Sequence, residues 1–516
     1  MPSVPESHDP EPYDPEPYDI VVIGTGIGGA TLVNRLAHSG ARILVLERGR
    51  RLAPSPQARD STAIFLEGRF RPEESWRDSD GRPFNPGNYS CVGGNSKFYG
   101  AVMLRYREQD FAAQEFDDGL SPAWPFPYHE LAPYYDQAER LYGVRGAAGE
   151  DPCEPPRTTP YPHPPVADEP SIAELRDRLT ALGLKPFSLP LAVDLDRWLA
   201  HGQTPWDAFP DTCGGKRDAE TAALAPALER SNVCLRTGVD LRRLIAAPDG
   251  KRIESAEVVE AGAVRRIAAP LFVLSAGAVN SAAILLRSAD GKNPRGLANG
   301  SDGVGRRFMN HNSAALLAVH PWRRNDAVYQ KTLGLNDFYL SDGAGGRPLG
   351  NLQLLGKVDG AMLKANLPAV PRSALDWLAR RSVDWFVMSE DLPDPDSRVR
   401  LDRAGNIVLD WRRNNMTAYT KLLAKAKEIL GAVGYPLRLS RPFDRRTPSH
   451  QCGTLGMGDD PATAPLDPFC RTYDHANLFV VDASFLPTSA AVNPALTIAA
   501  QALRVGDHIL TTELKR

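Results

Sequence analysis

The chain, 516 residues long, reads as an α/β protein: a Rossmann-like unit on a parallel sheet, joined to an α+β part on a mixed or antiparallel sheet. Three observations predict this. Residues 18–49 run strand, glycine-rich turn, helix and strand, with an acid at the end. Further buried strands meet helices through small-residue or polar loops at 271–287 and 477–510, as parallel crossovers do. Between them, residues 313–444 carry short strands separated by turn signals.

Composition narrows the class. A charged fraction of 24% and a net charge of -3 give no basic excess, so no nucleic-acid partner is expected. No apolar run approaches the ~18 residues of a membrane span. The first 17 residues, rich in acid and proline with Glu-Pro-Tyr-Asp repeated, read as a disordered leader rather than a signal sequence, so the expected location is cytoplasmic. Six cysteines lack metal, haem or disulfide spacing, and no metal site is expected.

Ile20-Val21-Val22-Ile23 is short, β-branched and apolar on both faces, like a strand within a parallel sheet. In Gly24-Thr25-Gly26-Ile27-Gly28-Gly29, Gly24 admits the tight turn and Gly26 lets backbone approach a pyrophosphate. Gly29 lets the helix pack on the strand. A helix over 28–39 directs its free N–H groups at the phosphates, and Gly40 stops it. Residues 42–46 form the next strand, and Glu47 ends it where an acid accepts hydrogen bonds from ribose hydroxyls. Together these specify a dinucleotide site. FAD and NAD both remain open; the acid argues only against the 2′-phosphate of NADP.

Residues 48–88, irregular but bearing Phe65, Phe70, Trp76 and Phe84, read as a surface excursion or lid. Gly93-Gly94-Asn95 offers a second close approach of backbone to a ligand. Helices are predicted over 130–142, over 171–182 with Ser171 as cap and Glu174 completing a capping box, and over 218–230. The proline-dense stretch 150–170 separates the first two. Residues 232–237 and 239–245 read as strands returning to a sheet, 251–267 as a hairpin, and 271–274 as a buried strand. The last enters the corner Ser275-Ala276-Gly277-Ala278 and a helix over 280–287. Strands at 314–319, 350–358, 383–389, 399–402 and 407–411, with a helix over 418–433, are assigned to one sheet. His450 stands in a glycine-containing loop, a strand ends at Asp482, and Asn493-Pro494 opens a helix over 495–510 with Asn493 as N-cap and proline at N1. His311 reads as structural. Cys452 has no acyl-transfer constellation beside it.

Seven blocks, DIVVIGTGIGGATLVNRLA, ILVLERG, GGNSKFYG, FVLSAGAVNSAAILLRS, VGRRFMNH, HQCGT and NLFVVDASFLPTSAAVNPALTIAAQALRVGDHI, resemble in this order the glucose–methanol–choline (GMC) family of FAD-dependent oxidoreductases. The resemblance implies FAD. Gly24, Gly26, Ile27, Gly28 and Gly29 would take the pyrophosphate, Glu47 and Arg48 the ribose end, and the Val239 backbone the adenine. Gly93, Gly94 and Asn95 would lie against pyrophosphate and flavin. Ala276, Gly277, Asp482, Ala483, Asn493, Pro494 and Thr497 would complete the site. His450 and Asn493 would face the reactive edge of the flavin. A neutral imidazole suits removal of a hydroxyl proton while hydride leaves the same carbon for flavin N5, and Asn493 can orient the hydroxyl without taking its proton. The dipole of the helix after Asn493 would stabilise the reduced ring. Phe98 stands where fungal pyranose oxidases carry a histidine bonded to FAD, so non-covalent FAD is expected. Tyr99 replaces an asparagine of other members.

The implied activity is oxidation of an alcohol, with a sugar or glycoside hydroxyl, as in the pyranose oxidase and C-glycoside 3-oxidase branch, preferred. An aminoglycoside-type, steroid or aliphatic alcohol is the alternative, and a non-catalytic FAD-binding protein lies outside that class. The electron acceptor is O2 or another oxidant. Residues 18–110, 231–312 and 445–516 are assigned to FAD, and 111–230 and 313–444 to the substrate and lid.

Overall fold

The computed structural model describes residues 17–202, 207–447 and 450–514. The expected leader, apart from residue 17, lies outside the described residues. A five-stranded parallel sheet takes the order Leu478–Val480, Leu271–Leu274, Ile20–Ile23, Ile43–Glu47, Val233–Thr237. The first four strands are buried at every position, as a sheet covered on both faces requires. Helix Ile27–Leu36 follows the glycine turn and packs against the last helix, Ala495–Thr512. Tyr128–Tyr142 packs on that last helix as well, and Ala219–Leu224 rests on the first. Both fall within 111–230, yet Tyr135, Tyr142 and Ala223 share one core with Val21 and Leu44. Periodicity shows that a helix has an apolar face, not which neighbour covers it.

Only the first of the two strands predicted at 232–245 joins the parallel sheet. Val239–Ala246 instead pairs antiparallel with Ile253–Glu260, which pairs with Ala263–Ala268.

The second core lies on one face of a six-stranded antiparallel sheet. Its order is Leu437–Pro442, Asn312–Val319, Ser382–Ser389, Asn351–Leu354, Leu333–Leu335, Phe187–Ser188. Leu316, Leu354, Trp385 and Val387 fill that core with residues of helices Pro170–Ala181 and Met416–Ala432. Because side chains alternate, Gln353 and Phe386, directly paired, point to the other face.

Two expectations need correction here. Strands Arg398–Leu401 and Ile407–Asp410 do not belong to the six-stranded sheet. They form a separate one with Trp76–Asp78 and Pro83–Phe84 from the excursion after Glu47, anchored by the fully buried Trp76. A local strand pattern carries no record of a partner more than 300 residues away. Ser171 is not a cap either: the helix starts at Pro170 with Glu169 as N-cap, and Ser171 Oγ bonds Asn325 Oδ1 at 2.9 Å. Proline at N1 moves the start one residue upstream. No described helix is long and apolar enough to cross a membrane.

Candidate active site

The glycine turn is built by close contacts that only glycine permits. Gly24 has φ +101°, and a Cβ there would lie 2.1 Å from the Ser275 carbonyl oxygen. A Cβ on Gly28 would lie 1.6 Å from the Val481 oxygen, and one on Gly29 would lie 2.3 Å from the Gly24 oxygen. Gly28 thus shares with Gly29 the close packing that motif spacing assigns to Gly29 alone. Gly26 differs, since a Cβ there meets nothing within 4 Å. The helix behind it has no side-chain cap, so its first-turn N–H groups remain available to an anion. That open face is the fit expected for a pyrophosphate.

Thr25, which motif spacing treats as a spacer, joins the two glycine turns. Its N–H and Oγ1 donate to Glu47 Oε2 at 3.1 and 2.6 Å, and its Oγ1 accepts from Gly93 N–H at 3.0 Å. Glu47 Oε1 accepts from Gly49 N–H at 2.9 Å, and burial pushes the carboxyl above its usual range. Gly94 (φ +56°) lies against Gly26, 3.6 Å from a Cβ on Gly94 to the Gly26 Cα. Asn95 Oδ1 accepts from Tyr89 N–H at 2.8 Å. Gly238 N–H reaches the Gly49 carbonyl at 3.3 Å, which sets buried Val239 beside the end of the Glu47 strand. Arg48 turns its guanidinium to Ser90 and Glu74, engaging the excursion.

At the second corner, Asp482 Oδ2 accepts from Gly277 N–H (3.0 Å) and Ser281 Oγ (2.5 Å), while Oδ1 accepts from Ser484 N–H (2.8 Å). Ala276 N–H bonds Ser281 Oγ at 3.1 Å. The Ala483 carbonyl accepts from Gly453 N–H at 3.2 Å, and Thr454 Oγ1 donates to the Ala278 carbonyl at 2.6 Å. The His450 loop is therefore stapled to the nucleotide unit.

His450 has φ +70°, in the left-handed region that non-glycine residues rarely occupy. Its Nδ1 lies 2.8 Å from His311 Nδ1, and its Nε2 lies 3.3 Å from Asn493 Nδ2. His311 Nε2 faces the Ser489 carbonyl at 2.9 Å. A carbonyl only accepts, so His311 carries its proton on Nε2 and offers a lone pair at Nδ1. His450 must then donate from Nδ1, which leaves Nε2 as an unprotonated base beside Asn493. Burial, then the neighbouring His311 and the charge of Lys331, hold His450 well below the ordinary histidine pKa. Burial pushes His311 down to about 4. Tyr106 OH also donates to the Ser489 carbonyl, at 2.9 Å, and Ser489 Oγ donates to the Asp391 carbonyl at 2.9 Å. His311 is thus a partner of His450 and not a bystander, a pairing across 139 positions that no local motif displays.

Asn493 is not the N-cap of the last helix. Pro494 holds that position, without a side-chain cap, and Asn493 turns to His450. Asn493 Oδ1 is buried with no partner in the structure. Thr497 Oγ1 is committed to Tyr135 OH at 2.8 Å, so only its first-turn N–H faces forward. Cys452 is buried between strands of backbone, its N–H and carbonyl both bonded to Met309, and burial pushes its thiol well up.

Family models described as GMC oxidoreductase match residues 18–313 and 393–502. The chain belongs to the GMC oxidoreductase family. It is 33% identical to paromamine 6'-oxidase of Streptomyces fradiae, over 94% of this chain and 90% of that protein. It is 27% identical to 2-methyl-1,2-propanediol dehydrogenase of Mycolicibacterium austroafricanum, over 95% and 94%. The crystal structure of pyridoxine 4-oxidase from Mesorbium loti superposes with a TM-score of 0.67 at 19% identity, covering 96% of this chain and all of that one, which shows the fold. This GMC protein is accordingly an FAD-dependent oxidoreductase acting on alcohol groups.

Proposed function

We propose that this GMC enzyme oxidises a hydroxyl of a sugar-like substrate, with an amino sugar of the aminoglycoside type first in order. The observation that carries the alcohol chemistry is the unprotonated Nε2 of His450 beside the Asn493 amide. The substrate class is supported by two relatives, paromamine 6'-oxidase and, at 30% identity, 6'''-hydroxyparomomycin C oxidase of Streptomyces lividus.

His450 Nε2 takes the hydroxyl proton. His311 keeps the ring in the right tautomer, and the 3.3 Å contact to Asn493 is long enough for a hydroxyl to replace. Asn493 then donates to the hydroxyl oxygen and holds the carbon in place. FAD would be held by the two glycine turns, Glu47 and the Asp482 corner, and would supply the two-electron oxidant. We read its binding as non-covalent because Phe98 offers no ring nitrogen and stacks on Tyr89, centroids 3.5 Å apart. Substrate selection is assigned to residues 313–444 and the excursion after Glu47.

Anaerobic titration with amino sugars, neutral glycosides and simple alcohols, followed by flavin absorbance, tests the reading. Bleaching by amino sugars at low concentration is expected; bleaching by aliphatic alcohols alone would remove the sugar assignment. His450→Ala should retain FAD and lose about 10²–10⁴-fold in the rate of flavin reduction. Reduction at the full rate would remove His450 from the chemistry. Readmitting oxygen distinguishes an oxidase from an enzyme that needs another acceptor.

A further inference from the structure

A cavity of about 660 Å³ flanks the segment that leads to His450. Its walls come from three separate stretches: Arg71, Arg82 and Phe84 of the excursion, Trp411 and Arg413 after a strand end, and Asp444–Arg446. The size is that of a small-molecule site. Five guanidiniums meet only two carboxylates there, Asp78 and Asp444.

Both acids are already committed. Asp78 pairs with Arg445 at 2.5 Å and accepts the Arg82 N–H at 2.8 Å, and Asp444 accepts from Arg446 through both oxygens. Arg71 and Arg82 are left over, and of the described carboxylates Arg413 is met only by the buried Asp391, with which it forms no ion pair. Among the described residues the Arg71 side chain makes no ion pair, and Arg82 has only an exposed Asp80 at 3.5 Å. Arg413 is the most informative. Nε is held by Asn312 Oδ1 at 3.2 Å and Nη1 by the Phe443 carbonyl at 3.4 Å, with the guanidinium 5.3 Å from the Trp411 ring. Its Nη2 is buried and has no partner. A buried charged donor left unbonded is costly, and this one is fixed in place before any ligand arrives.

We infer that this cavity binds a phosphorylated small molecule. The phosphoryl group would sit among Arg71, Arg82 and Arg413, with the rest of the molecule against Phe84 and Trp411. A phosphate monoester matches the excess better than a carboxylate, because it brings up to two charges and three acceptor oxygens to an arginine cluster. A polycationic amino sugar is repelled here, so the site is separate from that of the alcohol to be oxidised. Since the walls join the excursion to residues 444–446, a bound ester would tie the excursion to the approach to His450.

Calorimetry on the FAD-loaded enzyme, with the dinucleotide site filled, tests this using inorganic phosphate, adenosine monophosphate and glucose 6-phosphate. At least one ester should bind more tightly than inorganic phosphate and lose affinity as salt is raised. The tighter ester identifies nucleotide or sugar phosphate as the source. Arg71→Gln and Arg82→Gln, both at exposed side chains, should each weaken that binding about tenfold, the loss expected of one charge-assisted hydrogen bond. Arg413→Gln should weaken it further. No heat with any of the three probes would overturn the assignment. So would unchanged affinity in the Arg71→Gln/Arg82→Gln double variant, or inorganic phosphate binding as tightly as both esters.

Discussion

The parallel sheet offers backbone at its glycine turn, whereas the six-stranded sheet presents side chains. At the end of strand Ile20–Ile23, three glycines sit against carbonyl oxygens and a fourth, Gly26, leaves space open. Little there distinguishes one dinucleotide-holding protein from another. On the second sheet, one face is apolar core, while the other holds Phe386, its ring centroid 6.2 Å from that of His450, and Gln353 beside it. Both amide atoms of Gln353 are buried and without a partner in the structure. A shared cofactor calls for fixed backbone geometry, and a particular substrate calls for side chains that can vary without disturbing the core behind them.

The sharpest break of that contrast is Gly28→Ala. With 1.6 Å between its Cβ and the Val481 carbonyl, the first helix must leave the sheet, so no folded flavin-bearing enzyme is expected. Flavin absorbance and thermal unfolding of the purified variant check this. Next come adjacent residues on opposite faces of one strand. Leu354→Ala should cost about 2–5 kcal/mol by denaturant unfolding, as a core deletion does. Gln353→Leu should cost nothing or stabilise, because it removes a buried unsatisfied amide, while altering which alcohols reduce the flavin. A loss of stability in Gln353→Leu comparable to that of Leu354→Ala would erase the difference between the faces.

Thr25→Val tests the link between the glycine turns. It leaves Gly93 N–H without its acceptor and Glu47 without one donor, a loss of about 1–3 kcal/mol that should appear as weaker FAD retention on dilution. The last test concerns pH. Because His450 is held neutral well below the usual histidine range, kcat/KM should show no acid limb from it between pH 8 and pH 6. Stability should behave differently. His311 binds a proton near pH 6.5 when unfolded and only near about 4 when folded, so the unfolded state gains protons first. Its contribution is complete above about pH 6.5 and lost as pH falls toward 4, readable as a falling Tm.

The strands and crossover helices of the parallel sheet, the glycine turn, the acid of Glu47 and the loop and helix that carry His450 and Asn493 were legible in the chain, because each depends on residues a few positions apart; strands such as Leu333–Leu335 and Leu437–Pro442 of the second sheet were not. What went unread has a common character. The excursion strands find partners in Ile407–Asp410, the Ser171 hydroxyl finds Asn325, and Asn493 leaves its helix end for His450. Each is a local polar or strand signal redirected by a distant neighbour.

By itself, then, the sequence determined a dinucleotide unit, since glycine spacing and a strand-terminal acid act within one supersecondary unit, while His450 and Asn493 were singled out only through the family resemblance. Only the tertiary structure decided the state in which His450 is held. Its tautomer is set by a carbonyl at Ser489 through His311, and its low basicity by burial, and both depend on segments brought together from across the chain.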